Sequence, residues 1–599
     1  MSDDRVHFRD LLRGMVSTLP DFASTQRGLW NLIRFKPTTP LSIGRRYEQL
    51  AATQPQRVAL RFEERSWTYA EFNAWANRIA HVLKARGLKR GEVVSLLFEN
   101  RPEALACALA AVKLGAVAAM LNPNQRGEVL AHSIKITQAR AIVVGEECVG
   151  ALDSAGYGVR GAHTVQLWWD GEGAAPAGYG RLREESATAS AAALPETAQV
   201  TLGDPCFYIF TSGTTGLPKA SRMTHYRWMR SLAGMGQLAV RLRRDDVLYC
   251  PLPLYHNNAL TVSWSTTLGA GAALALGRKF SASRFWDEIR RYDATAFCYI
   301  GELCRYLLNQ PPKPGDRQHR VRVVIGNGLR AELWDAFQQR FGIERICEFY
   351  GASEANLAFV NGFGLARTAG FCPLPFAIVE FDAAAEAPRR GADGFMSRVA
   401  RGGVGLLITE VTERAPFDGY TDKKASEAKL LRDVFKRGDC WFNSGDLVRD
   451  QGFAHIQFVD RVGDTFRWKG ENVATTEVEA VLNQFPGVAE AVVYGVQLPD
   501  SDGRAGMAAL TLDGEFDGAA LARHLCAALP AYAVPLFVRL RAQQETTATF
   551  KFRKLELKQE AFDPLRVGEP LYVLRDRARG YEPLDSTLYA AIGRGELRF

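Results

Sequence analysis

Tyr208-Ile209-Phe210-Thr211-Ser212-Gly213-Thr214-Thr215-Gly216-Leu217-Pro218-Lys219-Ala220 is the stretch on which the reading of this chain turns. An apolar strand, Cys206 to Phe210, gives way at once to hydroxyls and glycines closed by a lysine. Glycines let backbone N–H groups approach an anion, and successive N–H groups form a concave nest for phosphate oxygens. Thr211, Ser212, Thr214 and Thr215 add hydroxyl donors, Gly213 and Gly216 the backbone freedom, and Lys219 a positive charge. The spacing is not that of the nucleotide P-loop, because Leu217 and Pro218 separate the second glycine from the lysine. A plain Ser/Thr/Gly surface loop is the alternative, but it needs neither the strand before nor the lysine after.

Working outward, the flanks alternate strand and helix. Val93–Phe98, Ala116–Leu121 and Ala141–Gly145 read as buried strands, with helices over Pro102–Leu114 and Gly127–Thr137. After the loop come strands at Val247–Cys250, Ala272–Leu276, Thr295–Ile300, Val321–Gly326 and Arg345–Tyr350. Helices are expected over Asn257–Leu268 and Ala282–Tyr292, and from Glu302 and Ala331. Alternation of this kind implies parallel sheets, so two successive doubly wound α/β units are expected. The Ala/Gly/Glu/Ser-rich stretch Gly171 to Gln199 reads as a surface excursion. From Gly370 to about Asp460 the punctuation suits a smaller β-rich piece, and beyond it lies a compact α+β unit. The boundary is placed at Asp460-Arg461-Val462-Gly463-Asp464, where Gly463 can absorb large backbone changes.

At 599 residues the chain exceeds one core, and 47% hydrophobic with 23% charged residues is the balance of a globular protein. The net charge of +8 suits polyanionic ligands or an anionic membrane surface, yet no nucleic-acid module is visible. Ten cysteines show no C-x-x-C pair and nine histidines no metal-ligand spacing, which favours a reducing compartment without structural zinc. The run Leu105 to Leu121 is broken by Lys113 and Gly115 and reads as a buried helix and strand rather than a membrane span. In segment 1–44, Phe8, Leu11, Leu12, Met15, Val16 and Leu19 recur at helical spacing among arginines, and Leu29, Trp30, Leu32, Ile33 and Phe35 follow. Such a segment suits a lipid interface or packing on the domain, and packing is the commoner outcome.

Further constellations follow in order. Pro251-Leu252-Pro253-Leu254-Tyr255-His256-Asn257-Asn258 opens a helix after a strand. Phe349-Tyr350-Gly351-Ala352-Ser353-Glu354 ends a strand with an aromatic face suited to adenine and a carboxylate suited to Mg²⁺ against phosphate. Gly326-Asn327-Gly328-Leu329-Arg330 precedes it, and Asn443-Ser444-Gly445-Asp446-Leu447 offers a carboxylate for ribose hydroxyls. Trp468-Lys469-Gly470-Glu471-Asn472-Val473 opens the C-terminal unit, and Thr549-Phe550-Lys551-Phe552 lies near its end.

In that order these segments resemble the adenylate-forming superfamily, which includes acyl-CoA synthetases, luciferases and peptide-synthetase adenylation domains. Phe280-Ser281-Ala282-Ser283-Arg284-Phe285-Trp286, the run Tyr299 to Gln310, Gly503-Arg504-Ala505-Gly506-Met507-Ala508 and the Phe550-Lys551 pair narrow the resemblance. They are similar to the fatty-acid-transport-protein branch of very-long-chain acyl-CoA synthetases, here as a bacterial-type long-chain enzyme. The resemblance runs from about residue 45 to the C-terminus. It implies an N-terminal AMP-binding domain over 45–460 and a small mobile α+β domain over 461–599, hinged at Asp460 and Gly463.

The resemblance also assigns roles. The loop Thr211, Ser212, Gly213, Thr214, Thr215, Gly216 and Lys219 holds the ATP β- and γ-phosphates. Gly328, Tyr350, Gly351 and Ser353 form the adenosine wall, with serine at position 353 where threonine is usual. Glu354 holds Mg²⁺, Asp446 and Arg461 meet the ribose and phosphate region, and His256 borders the acyl carboxylate. Gly470 lies beside the pantetheine of coenzyme A. Lys551 is the late catalytic lysine, with Phe550 where glycine is common, and Lys554 and Lys558 are the competing positions. The implied activity is ATP-dependent conversion of a long- or very-long-chain fatty acid to its acyl-CoA through an acyl-adenylate. A bile or aromatic acid as substrate, and a lipid-uptake protein with minor ligase activity, are the alternatives. Animal members carry an N-terminal spanning helix with no counterpart here, so a cytoplasmic protein, peripheral at the inner face of the membrane, is expected.

Overall fold

The computed structural model describes residues 5–157, 165–211, 217–382, 385, 387–469, 471–499, 503–546, 552, 554–597 and 599. They divide into two compact units, Val6–Leu374 with Val411–Leu430, and Arg5 with Pro375–Glu410 and Leu431–Phe599.

The first unit holds two sheets built as the alternation predicts. One runs Gly180–Arg181, Gln166–Asp170, Ala141–Gly145, Val93–Leu97, Val117–Met120, Pro205–Thr211, Lys219–Thr224. It is parallel up to Pro205–Thr211, which pairs antiparallel with Lys219–Thr224. Its central strands are buried at every position, which is why they read as unbroken apolar runs. Helix Pro102–Lys113 starts on proline and is buried along its whole length. Lys113, the charge that breaks the apolar run, is itself buried and donates from Nζ to Glu48 Oε1 at 2.7 Å.

The second sheet places Ala273–Leu276, Val247–Cys250, Ala296–Ile300, Val323–Asn327 and Arg345–Tyr350 side by side, all parallel. From Val247–Cys250 the chain crosses first to one neighbour, Ala273–Leu276, and then to the other, Ala296–Ile300. The strand order therefore reverses there, and the carboxyl edge at such a switch point is where open α/β sheets hold ligands.

Two expectations change. The stretch Gly171 to Gln199 is not a loose excursion, because helix Leu182–Thr188 buries Leu182 and Arg183 reaches Glu103, Asp170 and Glu172. Its anchors are too sparse to register in composition. Over Asn257–Leu268 the chain is π-helical from Asn258 to Ser263 and α-helical only from Trp264 to Ala270. No helix among the described residues is long and apolar enough to cross a membrane.

The second unit has two cores. Antiparallel strands Phe376–Val379, Val404–Glu410, Cys440–Gly452 and His455–Arg461 bury Ala377, Leu406, Ile408 and Trp441. A five-stranded mixed sheet, Val488–Gln497 to Gly580–Pro583, packs helices Thr475–Leu482 and Gly518–Ala528 around Val492, Met507, Leu525 and Phe537.

Candidate active site

The carboxyl edge of the second sheet collects the residues singled out from sequence. His256 follows strand Val247–Cys250, Gly301 follows Ala296–Ile300, Gly328 follows Val323–Asn327, and Tyr350 with Gly351 ends Arg345–Tyr350. Asn258 ties three of these turns together, its Nδ2 donating to Tyr299 O at 3.0 Å and Asn327 Oδ1 at 3.3 Å. The π-helical turn begins two residues after His256, whose ring lies 4.4 Å from that of Tyr255. Local widening of this kind recurs at functional sites. Gly301 is required by packing, since a Cβ there would fall 1.6 Å from Gly328 O. Gly328 itself has φ +81°, a conformation costly for side-chain-bearing residues.

Beneath this loop lies a residue that the motif reading passed over. Glu348 is buried in the strand of Tyr350 and, two residues away, shares its face. Its carboxyl accepts from the Gly328 N–H, from the Leu329 N–H at 3.1 Å and from the Tyr299 hydroxyl, so it pins the loop at Gly328. Burial pushes Glu348 up to about 8, against the pull of these three donors. One signal was in the sequence: Glu348 is the only charge in the run Ile346-Cys347-Glu348-Phe349.

The raised value has a testable sign. An unfolded glutamate ionises near pH ~4.3. The folded chain therefore holds an extra proton from about pH 4.3 to 8, and stability falls as pH rises through that window. Glu348→Gln, neutral throughout, loses that slope. Its urea midpoint relative to the parent chain should rise between about pH 5 and pH 8. An offset that stays constant between those pH values contradicts the assignment.

Glu354 is positioned by its backbone neighbours. Arg227 Nη2 donates to Ser353 O and Ala355 O, each at 2.7 Å, and Ser221 Oγ donates to Ser353 O at 2.8 Å. Ser221 and Lys219 share the strand Lys219–Thr224, whose register sets Lys219 opposite Thr211. The segment 419–421 runs along this strand, with Arg222 N–H donating to Gly419 O at 3.1 Å and Thr421 N–H to Ala220 O at 3.0 Å. That contact brings Tyr420 under Lys219, whose Nζ lies 5.8 Å from the ring centroid. Burial and then the charge of the Glu354 carboxylate raise the Tyr420 pKa. Lys219, Tyr420, Glu354 and Arg227 thus form one half-buried cluster. Tyr420 lies far along the chain and carried no local signal.

A single carboxylate suits Mg²⁺, which keeps several waters and binds one or two carboxylates plus phosphate oxygens. Among the described residues no group of three or more His, Cys, Asp or Glu side chains forms a closed metal cage.

In the second unit Asp446 and Arg461 face each other in register across an antiparallel pair, Arg461 Nε 4.0 Å from Asp446 Oδ1. The Asn443–Leu447 segment is a kink inside strand Cys440–Gly452, with Gly445 at φ +75°. Asp460 is buried and accepts from Thr475 N–H at 2.6 Å and Thr465 Oγ1 at 3.1 Å. Burial pushes its carboxyl up to about 6, against the Lys554 charge. Lys554 Nζ donates to Thr475 Oγ1 and pairs with Glu479, both at 3.0 Å. Lys558 Nζ donates to Gly463 O at 2.7 Å and Asp464 Oδ1 at 3.1 Å. Helix Lys554–Glu560 therefore grips the candidate hinge, and both competing lysines are neutralised by carboxylates where they stand. Ser212, Gly213, Thr214, Thr215, Gly216, Gly470, Phe550 and Lys551 lie outside the described residues.

Residues 47–382 match the family described as AMP-binding enzyme, and residues 477–551 match its C-terminal domain. The chain is 50% identical to the medium/long-chain-fatty-acid–CoA ligase FadD6 of Mycobacterium tuberculosis, over 96% of this chain and 95% of that one. It is 40% identical to mouse long-chain fatty acid transport protein 6, over 91% and 89%. Among solved structures it shares the fold of the anthranilate CoA ligase AuaEII, with TM-score 0.73, 22% identity and coverage of 86% and 96%. ATP-bound MatB from Rhodopseudomonas palustris gives TM-score 0.72, 24% identity and coverage of 87% and 99%.

Proposed function

The chain belongs to the AMP-binding enzyme family, and from that premise we propose that it converts a long- or very-long-chain fatty acid to its CoA thioester through an acyl-adenylate. ATP is cleaved to AMP and pyrophosphate. The observation that carries the reading is the half identity, along nearly all of both chains, to a relative named as a medium/long-chain fatty acid ligase. Aromatic and bile-acid readings have no comparable support.

A carboxylate is a poor acyl donor because its oxygen leaves badly. Attack of the fatty carboxylate on the ATP α-phosphorus expels pyrophosphate and forms acyl-AMP. The CoA thiolate then attacks the acyl carbon and AMP departs. The protein supplies orientation and cationic stabilisation. The Tyr350 ring and the Gly328 loop take adenine, with Gly351 and Ser353 beside them, and Asp446 accepts from the ribose hydroxyls. Thr211 and the residues 212–216 receive the β- and γ-phosphates with Lys219. Arg461 and Lys551 meet the charge at the α-phosphate, and His256 borders the fatty carboxylate. Glu354 would hold Mg²⁺, which when bound neutralises phosphate charge. Asp460 and Gly463 act as the hinge between an N-terminal domain 45–460 and a C-terminal domain 461–599, and Gly470 passes beside pantetheine.

AMP formed with CoA present, across saturated acids of increasing length, tests the reading. Turnover should favour long chains over benzoate and cholate, and preference for either of the latter overturns the substrate class. The relatives named as fatty acid transport proteins favour a second reading, lipid uptake with minor ligase activity. Turnover near the usual enzyme range of about 1–10³ s⁻¹ excludes it.

The cluster around Glu354 gives a more local prediction. Tyr420→Phe keeps the ring under Lys219 and removes the hydroxyl that the Glu354 charge acts on. Adenylation should slow by up to about tenfold, the effect of losing a polar partner worth ~1.5 kcal/mol. An unchanged rate means that the hydroxyl does not orient Glu354 for the reaction.

A further inference from the structure

Helices Phe8–Ser17 and Phe22–Arg34 are turned inside out relative to an ordinary surface helix. The second presents small and polar residues to the protein. Ser24 Oγ donates to Gln237 O at 3.0 Å and Asn31 Nδ2 to Gln237 Oε1 at 2.8 Å. A Cβ on Gly28 would lie 2.8 Å from Ala233 O. The first helix likewise seats Gly14 against Phe363, where a Cβ would come within 2.7 Å. Phe8, Leu12, Val16, Phe22, Trp30 and Ile33 point the other way, each 54–68% exposed. Large apolar side chains that would gain from burial are thus gathered on the outer faces.

Charge identifies what covers them. Residues 8–36 carry five basic side chains, Arg9, Arg13, Arg27, Arg34 and Lys36, against Asp10 and Asp21. Asp21 already pairs with Arg241 and Arg243, and Asp10 with Arg9. The Arg34 guanidinium lies 5.6 Å from the Trp30 ring centroid, a pairing suited to a headgroup boundary. A second copy of the chain would bring the same excess of cations to the contact.

We propose that these two helices form a docking surface for an anionic lipid bilayer, the apolar side chains entering the acyl boundary and the arginines meeting headgroup phosphates. The proposal goes beyond the ligase reading and stands without it. Its bearing on that reading is positional. Gln237, which receives Ser24 and Asn31, also donates from Nε2 to Gly269 O at 3.2 Å, on the helix that continues the π-helical turn after His256. Gln237 thus links the second docking helix to the helix that follows the candidate carboxylate site.

Co-sedimentation of the full chain with vesicles tests this, using phosphatidylglycerol mixed with phosphatidylcholine and phosphatidylcholine alone. The parent chain should sediment with the anionic vesicles and far less with the neutral ones. Trp30→Ser with Ile33→Ser should weaken partitioning roughly tenfold or more on anionic vesicles. Arg27→Ser with Arg34→Ser should do the same there, at about fivefold per charge, and change little on neutral vesicles. Both variants should keep the parent melting temperature and turnover of a short soluble acid, because neither touches the site. A parent chain that stays in the supernatant, or variants that sediment as it does, overturn the proposal. So does a lipid-free oligomer that the Trp30/Ile33 variant converts to monomer, which would assign the face to self-association.

Discussion

Lys551→Ala should slow acyl-adenylate formation by about 10²–10³-fold, or ~2.7–4 kcal/mol, and leave conversion of supplied acyl-AMP and CoA near the parent rate. A cation at the α-phosphate is useful only while negative charge builds there, in the first half-reaction. Three lysines near the chain end compete for this task, and the structure describes two of them, Lys554 and Lys558. Lys554 is held by Glu479 and Thr475, and Asp464 with Asp460 adds to the field that keeps it charged against burial. Lys558 is spent on Asp464 and Gly463 O. A lysine already paired with carboxylates offers little net field to a phosphate, which favours the proposal of Lys551. Gly470→Leu should show the reverse pattern, normal pyrophosphate release with slow thioester formation. Equal slowing of both half-reactions by Lys551→Ala would make that lysine structural, and normal behaviour of both variants would sink the proposed roles of Lys551 and Gly470.

Glu354→Gln should reduce adenylation by at least about 10²-fold and raise the Mg²⁺ concentration needed for half-maximal rate. The substitution keeps the shape and removes the charge. The fold should survive it, because the turn is held through the Ser353 and Ala355 carbonyls by Arg227 and Ser221 rather than through the glutamate side chain. A melting temperature within a few degrees of the parent, with the rate lost, is the expected pair of results. If Mg²⁺ dependence and rate both stay at parent values, Glu354 is not the ligand.

The parallel strands were legible because burial on both faces makes them uninterrupted apolar runs, as at Val93–Leu97 and Ala141–Gly145. Helix Gly127–Thr137 has the bounds its periodicity predicts. The strand end at Tyr350 was legible, and Tyr350 and Glu354 stand out as candidates because an aromatic and a carboxylate fall within five residues of it. What escaped depends on contacts remote in sequence. Tyr420 reaches Lys219 only because segment 419–421 lies along the strand Lys219–Thr224. The π-helical turn at Asn258–Ser263 shares its apolar pattern with an α-helix, so periodicity does not distinguish the two. The N-terminal helices were legible as helices, but glycine and serine, rather than leucine, make their contact with the protein. An apolar stripe normally marks the packed face, and here it marks the free one.

The central claim is that this chain adenylates a fatty acid before CoA takes part. Exchange of radiolabelled pyrophosphate into ATP, measured with a long-chain fatty acid and Mg²⁺ but without CoA, tests it most directly. Exchange that depends on the fatty acid, and falls with Glu354→Gln and Lys551→Ala, is the predicted result. No exchange until CoA is added, in a chain that still forms thioester, contradicts the acyl-adenylate route.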